Sequence, residues 1–310
     1  MFVGHSLVAF AVGALAARRL GVGRDRALQF GAFAGLFALV PDVDIVYAPV
    51  GLALQSVQTI DPNAFWNAAN VIHRGPTHSL LFGGVLAVGA AFFATNRRIG
   101  RATGAGVIAG LIAVAGVTGG NAVAGITAVY ALGGVAVAMA ARQRGVSAPA
   151  VLAVAFVGLL SHPFGDLVTG TPPLFLYPFD AILVSHRITL HPDPTLHLLG
   201  AFLIEIGTVW LGIWTYARLR DASIRRLVHP RAGLGTGYAG AVFVIPPPTL
   251  HNAAVFVFSV LALSVVGVGI SSHPLRRPFT RPIDALGTIV TGTATATVAA
   301  VGYGVAYVLF

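Results

Sequence analysis

Residues 79–95 read SLLFGGVLAVGAAFFAT, an unbroken apolar run that stops against Asn96-Arg97-Arg98. A helix of about 20 such residues crosses the hydrocarbon core of a bilayer, and this run approaches that length without a charged side chain. The rest of the chain repeats the pattern. Of 310 residues, 56% are hydrophobic and only 9% are charged, and the mean hydropathy is +0.84. Soluble domains are about 25% charged, so the outer surface of this protein is expected to face lipid. Candidate spans lie near 3–20, 27–41, 79–95, 104–118, 121–141, 149–168, 197–217, 251–270 and 286–310. The expected fold is all-α, a polytopic transmembrane helical bundle of about nine spans. Thr118-Gly119-Gly120-Asn121 supplies a tight turn between the fourth and fifth spans, and abundant small residues permit close helix approach in lipid. The sequence divides into a membrane-embedded domain over 1–217 and a second part over 218–310, a loop followed by accessory C-terminal helices.

The net charge is +9 and the basic side chains are all Arg. Their placement in short loops between apolar runs fits topology setting rather than nucleic-acid binding, so membrane lipids, not nucleic acid, are the expected surroundings. Arg18, Arg19, Arg24 and Arg26 separate the first two spans. Arg97, Arg98 and Arg101 follow the third, Arg142 and Arg144 the fifth, and Arg218, Arg220, Arg225, Arg226 and Arg231 the seventh. An extracytoplasmic N-terminus makes all of these loops cytoplasmic and predicts a multi-pass protein of the cell membrane. Arg276, Arg277 and Arg281 break the rule unless 237–250, with Pro246-Pro247-Pro248, forms a further span or re-entrant segment. The absence of cysteine excludes disulfides and thiolate metal sites.

Asp is scarce, and an ionised carboxylate at membrane depth is costly and usually functional. Four clusters stand out: His5; Pro41-Asp42-Val43-Asp44; His73-Arg74-Gly75-Pro76-Thr77-His78-Ser79; and His162-Pro163-Phe164-Gly165-Asp166. The topology derived from Arg alone sends all four to the outer face. Asp42 and Asp44 follow a helix-ending Pro, where an extended turn aims both carboxylates the same way. His162 and Asp166 are i, i+4 neighbours on one helical face. Pro163 lacks an amide hydrogen and frees the carbonyl of Leu159, which suits a distorted helix end beside a polar cavity. Imidazole with carboxylate suits zinc, manganese or iron better than calcium. One ion with outer partners and two ions are both compatible with seven candidate ligands, namely His5, Asp42, Asp44, His73, His78, His162 and Asp166. Each cluster also has an ordinary reading as a turn, a polar anchor or a hydrogen-bonded helix pair. Their coincidence on one face favours the metal.

In this order the clusters resemble the membrane-bound metal-dependent hydrolase family typified by the YdjM proteins. The pattern is an N-terminal His, Pro-Asp-x-Asp, His-Arg-Gly-x-Thr-His-Ser, then His-x-x-x-Asp-x-x-Thr followed by Pro-Phe. It is carried here by His5, Asp42, Asp44, His73 to Ser79, His162 to Asp166 with Thr169, and Tyr177-Pro178-Phe179, over about residues 1–200. The resemblance implies a helical membrane fold, a divalent metal held by those seven residues, and hydrolysis.

The expected reaction is hydrolysis at the outer membrane face, with Asp42, Asp44, His78 and Asp166 as catalytic residues and zinc or manganese as the ion. A phosphoester or lipid-like substrate fits a site near the headgroups. Arg74 is assigned to substrate binding through an anionic group, or alternatively to anchoring its own loop. Thr77 and Ser79 are read as caps of the third span rather than nucleophiles. Asp180, His186, Arg187, His191, Asp193 and His197 form either a wall of the site or a solvated polar loop. The alternatives to an enzyme are an ion or metal transporter or channel, and a non-catalytic protein whose metal locks helices together. Against transport, the charges collect at one face rather than at the midplane.

Overall fold

The structure is a computed structural model that describes residues 3–54, 74–269 and 285–310. The chain is helical and divides into two compact units, residues 1–188 and 189–310. This boundary differs from the sequence division at 217/218 because Pro194–Leu219, placed with the motifs in sequence, packs on the C-terminal helices.

The first unit contains α1 (Gly4–Arg19), α2 (Arg24–Leu39), α3 (Ala48–Leu54), α4 (Leu80–Phe93), α5 (Arg98–Gln143) and α6 (Ala148–Gly165). Helix α5 is two helices joined at Gly120, whose φ of 79° and ψ of −175° are open to glycine and hostile to side chains. A Cβ placed on Gly116 would lie 3.5 Å from the Cβ of Ala124. Eight residues of continuous helix would separate them by about 12 Å, so the chain turns back at the glycine pair. Every one of the nine expected spans therefore contains a helix among the described residues. Among the described residues, five helices are long and apolar enough to cross a membrane by length and composition, with Leu80–Phe93 and Ala253–Val265 as shorter apolar ones.

Small residues set the packing that matters for the site. Helices α1, α2 and α6 pack against one another. A Cβ on Gly158 of α6 would fall 2.4 Å from the carbonyl oxygen of Ala34 and 2.8 Å from the amide nitrogen of Ala38. Glycine here lets α6 press directly on the backbone of α2, in the manner of close-packed membrane helices. Around this contact Ala34, Phe37, Ala38, Leu86, Tyr130, Ala155 and Leu159 form one buried apolar core.

The second unit contains α7 (Pro194–Leu219), the short α8 (Ile224–Leu227), a 3-10 helix over Pro230–Phe243, α9 (Ala253–Gly269) and α10 (Ala285–Leu309). The first part of 237–250 belongs to the 3-10 helix, whose inner stripe, Ala232, Gly235, Tyr238 and Ala241, repeats every third residue, which is the period of that helix. The stripe lies on α10, where the Cα side of Gly235 would bring a Cβ to 2.5 Å from the Thr295 carbonyl oxygen. Arg276, Arg277 and Arg281 lie outside the described residues. Phe256 and Tyr303, with ring centroids 5.2 Å apart, centre the core of this unit.

Candidate metal centre

The site forms where α1 begins, α2 ends, α4 begins and α6 ends. Pro41 opens a 3-10 helix over Pro41–Tyr47, tolerated because the first turn needs no amide hydrogen. Asp42 and Asp44 are thus on a 3-10 turn and not on the extended turn expected from the sequence. Two residues in a 3-10 helix are about 240° apart, so the carboxylates diverge instead of aiming together. They grip opposite edges of one ring: Asp42 Oδ1 is 3.7 Å from His78 Nε2, and Asp44 Oδ2 is 3.5 Å from His78 Nδ1.

His78 closes a second 3-10 turn, Pro76–His78, ahead of α4. Ser79 caps α4, accepting from the amides of Leu81 and Phe82, as expected. Thr77 does not cap. Its hydroxyl donates to Asp44 Oδ2 at 2.7 Å and lies 2.9 Å from His78 Nδ1. A carboxylate only accepts, so the hydroxyl proton is committed to Asp44, and the Thr77 oxygen accepts the Nδ1 proton of His78. The Nε2 of His78 faces inward and carries a lone pair when the ring is neutral.

His162 is fixed by the same logic. Its Nδ1 lies 2.7 Å from the carbonyl oxygen of Ala38, in the last turn of α2, where helix carbonyls lack intrahelical partners. A carbonyl cannot donate, so Nδ1 carries the proton and Nε2 faces the cluster. The two Nε2 atoms stand 3.0 Å apart. Asp166 Oδ2 is 3.2 Å from His78 Nε2, and Asp42 Oδ1 is 3.4 Å from His162 Nε2. On the far side, His5 Nε2 is 3.4 Å from Asp166 Oδ1 and makes no hydrogen bond, with its ring 4.0 Å from that of His162. Two overlapping sets thus bring ligand atoms within 4.8 Å of one another: His5, His162 and Asp166, and Asp42, His78 and His162.

Arg74 supplies the counter-charge already present. It has a positive φ of 68°, its Nε is 3.5 Å from Asp166 Oδ2, Nη1 donates to the Thr171 carbonyl, and Nη2 donates to Thr169 Oγ1. Gly170 makes room for it, since a Cβ there would collide with the guanidinium. Sequence reasoning passed over Gly170 and the Ala38 carbonyl. The small residue between Thr169 and Thr171 was a readable signal for the first, whereas a backbone acceptor leaves no trace in sequence.

The electrostatics then favour a cation. Asp42, Asp44 and Asp166 bring three carboxylates around the rings of His78 and His162, a donor set that suits a divalent cation. Asp44, His78, His162 and Asp166 are buried, where charged groups depend on close partners. Without an ion the site draws a proton instead. Burial alone would push the His78 imidazole down, but the carboxylates of Asp166, Asp42 and Asp44 outweigh it and raise its pKa from 6.5 to about 9. These buried His and Asp groups can hold a metal ion. His73 lies outside the described residues. Asp180, His186, Arg187 and His191 are exposed, Asp193 caps α7, and His197 accepts from the Leu190 amide; none of them belongs to either ligand set.

The family model for the YdjM inner membrane protein matches residues 1–274. No curated protein and no solved structure matches the chain.

Proposed function

The chain belongs to the YdjM inner membrane protein family, and from that premise we propose that it is a membrane-bound metal-dependent hydrolase acting on a phosphoester or lipid-like substrate at the outer membrane face. The observation that carries this reading is the pair of inward Nε2 atoms 3.0 Å apart, flanked by carboxylate oxygens of Asp42 and Asp166. Zinc or manganese suits that donor set. Bound there, the ion would polarise the scissile group and lower the pKa of its water toward neutrality. His78, His162, Asp42, Asp166 and His5 would hold it.

The chain's own groups divide the remaining work. Asp44, through Thr77 and directly, fixes the His78 tautomer and makes Nε2 a better donor. Arg74 acts through Asp166; with Nε, Nη1 and Nη2 turned to the protein, orienting that carboxylate supports its role better than substrate capture. Asp42 is 32% exposed while the other carboxylates are buried, so it is the group placed to take a proton from water at the mouth. On the segment that follows α6, Leu174, Phe179, Ile182 and Leu183 are exposed, and the Leu174 amide donates to the Arg74 carbonyl. Exposed apolar residues on the segment whose Thr169 and Thr171 hold Arg74 suit an amphiphilic substrate.

Purified protein assayed against phosphomonoesters and phospholipids with added manganese or zinc is expected to hydrolyse one of these classes, and Asp42→Ala and His78→Ala to lose at least about a hundredfold in rate. Turnover unchanged in both variants would remove the site. The burial of most ligands also favours a second reading, a metal that only locks helices. Chelation that lowers the melting temperature of a protein inactive on every substrate class would decide for that reading.

A further inference from the structure

Helices α4 and α6 run between two ends of the first unit. The metal centre occupies the end where α4 begins and α6 finishes. At the other end, between the α4–α5 turn and the α5–α6 turn, lies a cleft of about 1130 Å³. Its polar rim is made by Asn96, Arg97, Arg142, Gln143 and Ser147, over apolar walls that include Met139 and Val146, and no carboxylate lines it.

The rim offers donors. Arg142 Nε donates to Asn96 Oδ1 at 3.2 Å, which orients the arginine and turns the amide NH2 of Asn96 to other partners. The Arg97 side chain makes no hydrogen bond or ion pair among the described residues, and the Ser147 side chain caps nothing although it precedes α6. More arginine crowds the same end. Arg26 and Gln29 of α2 bond to the carbonyl of Arg144, which brings the Arg18 to Arg26 segment beside the α5–α6 turn.

We propose that this cleft binds a phosphate-bearing anion, with Arg97 and Arg142 as its two cationic contacts and Asn96 and Ser147 as neutral donors. The guanidinium fork matches phosphate oxygens, and a basic pocket between membrane helices is a favourable seat for an anionic headgroup. The apolar walls accommodate the glycerol and upper acyl portion of a phospholipid. A soluble phosphate ester presents the same anionic chemistry without the apolar part.

Native mass spectrometry of the full chain, released from micelles doped with phosphatidylglycerol or phosphatidylcholine, tests the assignment. Wild type is expected to retain phosphatidylglycerol in preference to phosphatidylcholine. Arg97→Gln should weaken retention about fivefold, and Arg97→Gln with Arg142→Gln about twenty-five-fold, at about fivefold for each arginine near a lipid headgroup. Arg101→Gln, at the same end but outside the cleft, should stay within about twofold of wild type. Competition by millimolar glycerol phosphate, sensitive to the same two arginines, would identify a soluble ester as the occupant. Its absence beside Arg-dependent retention would identify the lipid. Equal retention of both lipids, wild-type retention by the double variant, or an equal loss in Arg101→Gln would overturn the cleft as a site. Because the Arg97 side chain makes no hydrogen bond or ion pair among the described residues, its variant separates lost binding from lost folding.

Discussion

Thr77 shows how one hydroxyl can decide the chemistry of a site. It donates to Asp44 and receives from His78 Nδ1, and this chain of bonds leaves the His78 Nε2 lone pair for an ion. Thr77→Val keeps the volume and removes the bonds. It should weaken metal binding by about 10–100-fold with little change in fold, as loss of an outer partner of a ligand usually does, and Thr77→Ser should restore it. Titration with zinc against a competing chelator measures both. Equal affinity in Thr77→Val would show that the tautomer is fixed some other way. The identities of His5, Asp42, His78, His162 and Asp166 were legible because His and Asp are rare in apolar sequence. Their division of labour was not, because Thr77 fits a helix cap as well as a hydroxyl bridge, and Asp42 and Asp44 diverge only once the turn is known to be 3-10.

At the level of elements, position depends on how closely helices approach. Gly158 sets α6 on the α2 backbone, and this contact delivers His162 Nδ1 to the Ala38 carbonyl. Gly158→Ala is expected to destabilise by about 1–3 kcal/mol, since the atoms in the way are backbone and cannot step aside. Gly106→Ala, with nothing near the added Cβ, should be neutral or stabilising by up to about 1 kcal/mol. Thermal unfolding in detergent compares them; equal midpoints would contradict the close-packing account. In the second unit, Asp193 accepts from the Leu196 amide at the start of α7, and Tyr307 of α10 donates to its other oxygen. The Leu196 amide is the main cause holding this carboxyl below its usual range. A depressed folded pKa means that the stabilisation is present above the unfolded value and fades as pH falls through the folded one. Asp193→Ala should therefore unfold at lower temperature than wild type at neutral pH, with the gap closing in acid; a gap independent of pH would argue against the ionised cap. The long apolar runs made these helices readable from sequence. The 3-10 helix over Pro230–Phe243 was harder, because a period of three hidden among glycines resembles neither common repeat.

Across the whole molecule, membrane character followed from composition alone, since a chain with 9% charged residues cannot clothe itself for water. The gathering of motifs far apart in sequence is a tertiary fact, produced in the first unit by helix ends that meet at one place. That gathering brings imidazole and carboxylate ligand atoms from separate motifs within 4.8 Å of one another, and this donor set is the reason to expect an ion. Stripping the ion should lower the unfolding midpoint, and re-adding zinc or manganese should restore it in proportion to binding. Elemental analysis of the purified protein, wild type beside His162→Ala, tests the claim most directly because His162 is common to both ligand sets. About one divalent ion per wild-type chain is expected, and close to none in a His162→Ala protein that remains monodisperse. Equal metal in both, or none in wild type after dialysis against excess zinc and manganese, would contradict it.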